Sequence, residues 1–382
     1  MRLGDCCKTN LHTYSDKEKW SLIRYLDTGS ITEGRIDEIQ TLYPGVDKIP
    51  SRARRKASVG DILFSTVRPN QKHYGIIEAG TENLLVSTGF TVVTVDTTIA
   101  DPYFIYYYLT QSSVIESLQA IAEQSTSTYP SIKPSDIEDI ELDLPELETQ
   151  KKIGSTLRML DRKIAFNEEI NDNLQQQAAA LFSSLYDRTN TEVRFTDLIQ
   201  ILGGGTPKTG ENTYWNGNIA FFTPKDVGTP YTLITEKTIT EEGLSHCNSR
   251  LYPVNTVFVT ARGTVGKVGM SGVPMAMNQS CYALVGKETH QLLVYFYTLK
   301  AVDRLKHKAS GAVFDAITTR DFESEQIMKL SDDDAKSFLC IAEPMFQKVL
   351  NNSIENQRLS ILRDSLLPKL MSGEIDVSSI HL

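Results

Sequence analysis

Gly203-Gly204-Gly205-Thr206-Pro207-Lys208-Thr209 is the stretch whose residue types come nearest to a phosphate cradle, because glycines let backbone amides approach an anion and a lysine can neutralise it. A phosphate loop also needs a glycine directly before that lysine and a helix behind it, and Pro207 stands there instead. Gly263, Gly266 and Gly269 follow a strand pattern, but no helical pattern opens after them, so a dinucleotide turn is not indicated. His12, His73, His246, His290, His307 and His381 are too dispersed for a metal site or a catalytic triad, and no nucleophile elbow occurs. The Asn-Pro-Pro-aromatic or Asp-Pro-Pro-aromatic tetrad that would hold a flipped base is missing too. Cys6, Cys7, Cys247, Cys281 and Cys340 are odd in number and lack zinc spacing, and they read as reduced, mostly core thiols. These residues point to no catalytic centre, no metal and no cofactor of the chain's own.

The basic residues offer different chemistry. Arg52, Arg54, Arg55 and Lys56, followed by Arg68-Pro69-Asn70-Gln71-Lys72, mix cations that neutralise phosphate with side chains suited to base edges, arginine for guanine and asparagine or glutamine for adenine. Lys208, Thr209, Lys225, Arg262 and Lys267, with Asn278 and Gln279, occupy similar stations in the second half. One charge run alone reads more readily as a solvated face. Two loosely matched runs in a repeated chain put double-stranded DNA beside that reading. The net charge of −9 does not decide the matter, because the acidity is segregated into segments such as Asp136 to Glu148.

These residues must be positioned by more than one folded body, since 382 residues suit two or three domains. With 40% apolar and 23% charged residues the composition is that of a folded globular protein. No apolar run has the length of a signal peptide core or a membrane span, and the expected location is cytoplasmic. An offset of 185 residues carries Ser131-Ile132-Lys133-Pro134-Ser135-Asp136-Ile137-Glu138 onto Ala316-Ile317-Thr318-Thr319-Arg320-Asp321-Phe322-Glu323. With small drifts in offset, Arg2 to Asp5 falls on Arg194 to Asp197, Ile62 to Arg68 on Thr256 to Arg262, and Ile105 to Tyr108 on Val294 to Tyr297. Strands are predicted over 61–67, 90–95, 254–260 and 281–285, and helices over 103–122 and 292–308.

After each globular part runs a heptad seam. Ile153, Leu157, Leu160, Ile164, Asn167, Asn171, Leu174, Ala178, Leu181 and Leu185 map under the same offset onto Phe338, Ala342, Met345, Val349, Asn352, Asn356, Leu359, Arg363, Leu366 and Leu370. Antiparallel pairing with residue numbers summing to 523 would set Asn167 against Asn356 and Asn171 against Asn352, where buried amides fix the register. The expected class is therefore α+β, a pseudo-two-fold internal repeat of two similar domains separated by two long helices that form an antiparallel coiled coil. The expected boundaries are 1–145, 146–188 for the central helix, 189–332, 333–375 for the C-terminal helix, and a tail of 376–382.

These features resemble the specificity (S) subunits of type I restriction-modification systems. Leu144-Pro145-Glu146-Leu147-Glu148-Thr149-Gln150-Lys151-Lys152-Ile153 is similar to the start of that family's first conserved helix, and Leu362 to Ile375, with Leu366-Leu367-Pro368-Lys369-Leu370, to the end of its second. Leu198 to Lys208 and Phe222 to Val227 resemble the opening of a target recognition domain. The first half departs from the pattern in having Asn10-Leu11-His12-Thr13 for the glycine turn, and the second helix is entered by Leu330-Ser331-Asp332-Asp333-Asp334. The resemblance implies a non-catalytic DNA-reading subunit in which each target recognition domain reads one half of a bipartite target. It also implies two modification subunits that methylate adenine from S-adenosylmethionine, and restriction subunits, as partners. The alternatives are a duplicated coiled-coil scaffold whose partners are proteins and not DNA, and a catalytic protein whose site has no recognisable motif.

Overall fold

The computed structural model describes residues 1–125, 129–228, 230–308 and 316–377. The helices that organise it are Pro102–Leu109 (α1), Ser112–Glu123 (α2), Leu147–Tyr186 (α3), Gln291–Lys308 (α4) and Asp332–Met371 (α5). Two compact units form, one of Met1–Lys163 with Leu359–Leu382, the other of Ile164–Arg358. The division cuts across both long helices, where the sequence suggested separate helical segments. The physical reason is that each part of a long helix is stabilised by the apolar core beside it. Ile153 and Leu157 bury with Leu370 in the first unit, and Ala178, Phe182 and Leu185 with Phe338 and Ala342 in the second.

The first unit contains Cys7–Thr9 (β1), Ile23–Leu26 (β2), Gln40–Leu42 (β3), Ala53–Lys56 (β4), Ile62–Ser65 (β5), Tyr74–Ile76 (β6), Leu84–Ser87 (β7) and Phe90–Val95 (β8). One antiparallel sheet runs β1-β8-β5-β6, and a second runs β3-β2-β7-β4 with β2 parallel to β7. Side chains alternate across a strand, so both faces of the first sheet are apolar. Ile62, Phe64, Val93 and Val95 pack towards α1 and α2, while Leu63, Phe90 and Val92 join Leu26, Leu84 and Val86 of the other sheet.

The second unit repeats this plan with Glu192–Arg194 (β9), Ile199–Gly203 (β10), Trp215–Phe222 (β11), Tyr231–Thr232 (β12), Lys237–Ile239 (β13), Val257–Thr260 (β14), Val268–Ser271 (β15), Met275–Met277 (β16), Cys281–Gly286 (β17) and Gln326–Met328 (β18). Its main sheet runs β10-β17-β14-β15-β12, beside a sheet β13-β11-β16 and the pair β9-β18. Val257, Val259 and Leu284 face the helices, and Phe258 and Ala283 face the opposite side. The repeat reappears in the backbone pairing, with the offset drifting from 192 at its start to 185 at its end. Leu3 N–H donates to Ile140 O at 2.8 Å, and Phe195 N–H to Glu325 O at 2.9 Å. Asp136 and Asp321 each accept from the backbone N–H three residues earlier, at 2.7 Å in both units.

Several boundaries differ from the sequence reading. The helix expected over 103–122 is two helices, because Gln111 takes an extended conformation (φ −60°, ψ 140°) while its side chain and backbone amides both turn back to Tyr108 O. The apolar period runs through this break, with Phe104, Tyr107, Ile115, Leu118 and Ala122 all buried and Gln111 in line with them, so the pattern hides it. The strand expected over 254–260 starts only at Val257, since Asn255 sits at φ +69°. The strand expected over 61–67 ends at Ser65, and Arg68 turns the chain at φ +48°. Of the supposed tail, Val377 is buried in the first core, and residues 378–382, with His381, lie outside the described residues. Cys6, Cys7 and Cys281 are buried, Cys247 is half-buried and Cys340 exposed, all as free thiols. No helix among the described residues is long and apolar enough to cross a membrane.

Candidate nucleic-acid interface

In the first unit the basic tract is divided by its strand. β4 pairs with β7, Ala53 opposite Ser87 and Lys56 opposite Leu85, so Arg52 and Lys56 lie at opposite ends. At the Arg52 end, Thr88 N–H donates to Arg52 O at 2.9 Å, and Thr66 donates through N–H and hydroxyl to Gly89 O at 2.8 and 2.9 Å. These bonds set the Arg52 turn, the 87–89 turn and the Arg68 loop side by side. Arg52 and Arg68 are exposed, and the Arg68 guanidinium lies 5.3 Å from the Tyr129 ring centre. Lys72 closes the same loop at φ +57°, its ammonium 2.5 Å from Glu33. The Asn70 N–H donates to the Gln119 side chain on α2.

The rest of the tract is committed elsewhere. The Arg55 guanidinium donates to Asn10 Oδ1 and Phe90 O, and burial holds its pKa below the ordinary arginine value. It ties β4 to the start of β8. Lys56 pairs with Glu18 at 2.5 Å and lies 5.2 Å over the Trp20 ring, and Arg54 is half-buried beside Tyr14 and Trp20. Thus Arg52 and Arg68 come together, with Lys72 at the other end of the Arg68 loop and paired to Glu33, while Arg54, Arg55 and Lys56 do not join them. A strand period of two and a bulge between Ala53 and Arg55 separate residues that are neighbours in the sequence.

In the second unit the glycine run serves packing. A Cβ on Gly204 would sit 2.2 Å from Asn278 O, and Gly205 N–H donates to Met277 O at 3.1 Å, so the chain passes close against the end of β16. Thr206 donates to the Gln279 side-chain carbonyl, and Lys208 and Thr209 follow as exposed residues. Thr264 Oγ1 donates to Pro224 O at 3.1 Å, which sets the Lys225 loop against the turn carrying Arg262 and Lys267. Thr260 closes that turn, its hydroxyl donating to Thr264 O and accepting from Lys267 N–H. Lys225 pairs loosely with Glu236 at 3.5 Å. Arg262 and Lys267 are exposed, and among the described residues no carboxylate lies within 4.0 Å of either. Lys225, Arg262 and Lys267 therefore converge, with Lys208 and Thr209 on the adjoining loop.

The four seam asparagines also meet. Asn167 Nδ2 donates to Asn356 Oδ1 at 2.8 Å and Asn352 Nδ2 to Asn171 Oδ1 at 2.9 Å, so α3 and α5 run antiparallel here. Asn356 Nδ2 reaches Ile164 O at 3.2 Å. Asn167 and Asn352 are at most 1% exposed. The sequence reading missed a second polar pairing of the seam, in the first unit: Asp161 accepts from Arg363 at 2.7 Å and from the Tyr107 hydroxyl at 2.6 Å. The signal was present, since Arg363 is the one charged residue on the seam. Among the described residues, no cluster of three or more His, Cys, Asp or Glu is placed to hold a metal.

A family model described as type I restriction modification DNA specificity domain matches residues 48–176 and again residues 188–329. The chain belongs to this family. Its two specificity-domain matches fall on the two halves of the repeat, each beginning in a globular part, and the first runs on into α3. Among curated proteins it is 25% identical to the type I restriction enzyme HindI specificity subunit of Haemophilus influenzae, over 98% of either chain. It is 22% identical to the MjaIX specificity subunit of Methanocaldococcus jannaschii, over 84% of this chain and 79% of that one. Among solved structures, the S subunit of a type I restriction-modification system from M. genitalium matches with a TM-score of 0.61 at 16% identity, covering 97% of this chain and 95% of that one. That last likeness concerns the fold.

Proposed function

We infer that this chain is the DNA-reading specificity subunit of a type I restriction-modification system, each specificity domain reading one half of a bipartite target. The observation that carries this reading is the duplicated family match, each copy lying on a unit whose exposed cations gather on neighbouring loops at strand ends. Phosphate contacts from those cations give affinity and position, and side chains reaching the base edges from the same loops give specificity. The chain itself performs no chemistry in this reading. S-adenosylmethionine belongs to the two modification subunits, which methylate adenine, and restriction subunits complete the assembly in the cytoplasm. Exchanging residues 1–145 for another specificity domain tests it. Methylome sequencing of cells carrying the exchange should show one half of the methylated motif altered and the other intact. A change in both halves would argue against one domain per half-site, and no mobility shift of duplex DNA by the chain with its modification subunits would favour the protein-binding scaffold.

A further inference from the structure

We propose that Lys306, on the last turn of α4, is a DNA phosphate contact of the second specificity domain, held in place by the glycine turn between β14 and β15. The inference rests on the DNA-reading function above and adds to it a residue from a helix.

The last two turns of α4 carry Arg304, Lys306, His307 and Lys308. Arg304 and Lys308, four residues apart on one face, both grip the Glu325 carboxylate, which is wholly buried, Arg304 Nε at 2.8 Å. His307 lies 3.6 Å from Asp303. Lys306 stands on a different face and is exposed, and among the described residues no carboxylate lies within 4.0 Å of it. Its stem lies across Gly266. A Cβ built on that glycine would be 2.7 Å from Lys306 Cε, 3.4 Å from its ammonium and 3.1 Å from Val302. Gly266 is at φ +74°, a conformation that calls for glycine, and the missing side chain leaves room for the Lys306 stem. The turn thus carries the Lys306 ammonium beside Lys267, in the loop that also presents Arg262 and adjoins Lys225.

The first unit argues the same way. Its buried α2 residues Ile115 and Leu118 correspond to Val302 and Leu305 of α4, which puts Gln119 at the station of Lys306. Gln119 accepts from Asn70 N–H in the loop that follows β5. In both units, then, this helix position meets the loop after the central strand. Both loops carry two cations, Arg68 and Lys72 in the first unit and Arg262 and Lys267 in the second, and the helix position beside them is neutral in the first and a lysine in the second.

The test measures binding of a mixed-sequence 40-base-pair duplex across a salt series, using the full chain with its modification subunits. Lys306→Gln should weaken binding and make the slope of log K against log salt shallower by about 0.9. Lys306→Arg should retain the wild-type slope, and Lys348→Gln, an exposed lysine on α5, should leave it unchanged. An unchanged slope for Lys306→Gln beside a wild type that binds overturns the proposal and leaves the function standing. A wild type that does not bind removes the function, and this contact with it.

Discussion

Asp161 and Phe346 occupy the same station of the repeat, 185 residues apart, and carry opposite chemistry. In the first unit Asp161 holds the Tyr107 hydroxyl and the Arg363 guanidinium. In the second, Phe346 packs against Phe296 and Tyr295 with ring centres 5.6 and 5.7 Å apart, and Ala178 stands where Arg363 would be. Tyr107 has become Phe296, Asp161 Phe346 and Arg363 Ala178, so a polar trio has been exchanged for an apolar one as a set. Burial alone would lower the Arg363 pKa, and Asp161 and Asp364 together raise it instead.

Interdependence within the trio follows. Arg363→Ala or Asp161→Ala should each cost about 2 kcal/mol, the range for hydrogen bonds to charged groups. The double variant should cost clearly less than the two together, because the second loss no longer breaks a pair. Denaturant midpoints of the four proteins measure this, and strict additivity would dismiss the pairing. Phe346→Asp, which buries a carboxylate with no cation at that station, should cost about 3–5 kcal/mol.

The asparagine layer gives a second cycle. Replacing Asn352 alone by leucine removes the donor to Asn171 Oδ1 and should cost about 1–3 kcal/mol. Replacing Asn171 and Asn352 together should recover that loss or exceed wild-type stability, since polar residues in a seam fix register at a cost in stability. Thermal melts of the single and double variants decide it, and a double variant less stable than either single one would contradict the account.

At alkaline pH the second core should weaken through its tyrosines. Burial pushes the Tyr295 hydroxyl up to about 12 from its ordinary 10. Burial also raises Tyr297 to about 12, although the hydrogen bond from Leu330 N–H opposes the shift. Below pH 10 both are neutral whether the chain is folded or unfolded. Between 10 and 12 the unfolded chain releases protons that the folded chain keeps, so stability falls by about 1.4 kcal/mol per pH unit for each group. Tyr295→Phe should remove one such share, seen as a flatter decline of urea midpoints from pH 9 to 11. An identical decline would show that Tyr295 ionises freely in the fold.

The repeat was legible because equivalent residues solve equivalent packing problems. Leu3 and Phe195 anchor the same backbone bond, and Asp136 and Asp321 cap the same turn. The seam was legible from its period, and the asparagines from their place within it. The break at Gln111 was not, because a helix can stop and restart without disturbing the apolar spacing. Nor was the division of the basic tract, since adjacent residues on a strand point to opposite faces, and the partners of Arg55, Asn10 and Phe90, are 45 and 35 residues away in sequence. Lys306 escaped notice for a similar reason: its meaning depends on Gly266, which only the fold brings beneath it.

That division of the tract separates two effects that a blanket neutralisation would confuse. Arg55→Ala removes a half-buried guanidinium that donates to Phe90 O and to Asn10 Oδ1, which keeps only the Val92 N–H, so it should lower stability by about 1–3 kcal/mol. Any loss of DNA binding by Arg55→Ala should track the unfolded fraction and leave the salt slope of the folded protein unchanged. Arg52→Gln and Arg68→Gln should do the reverse. Both side chains are exposed, and among the described residues neither makes a buried hydrogen bond, so melting temperatures should shift by about a degree or less, in keeping with surface substitutions. Each should make the slope of log K against log salt shallower by about 0.9, and the double variant by the sum, if the two touch different phosphates. Melting curves and salt-dependent binding of the same preparations provide both readouts. A reduced slope for folded Arg55→Ala, or wild-type slopes for Arg52→Gln and Arg68→Gln together, would move the interface of the first domain away from the turns around Thr66, Thr88 and Gly89.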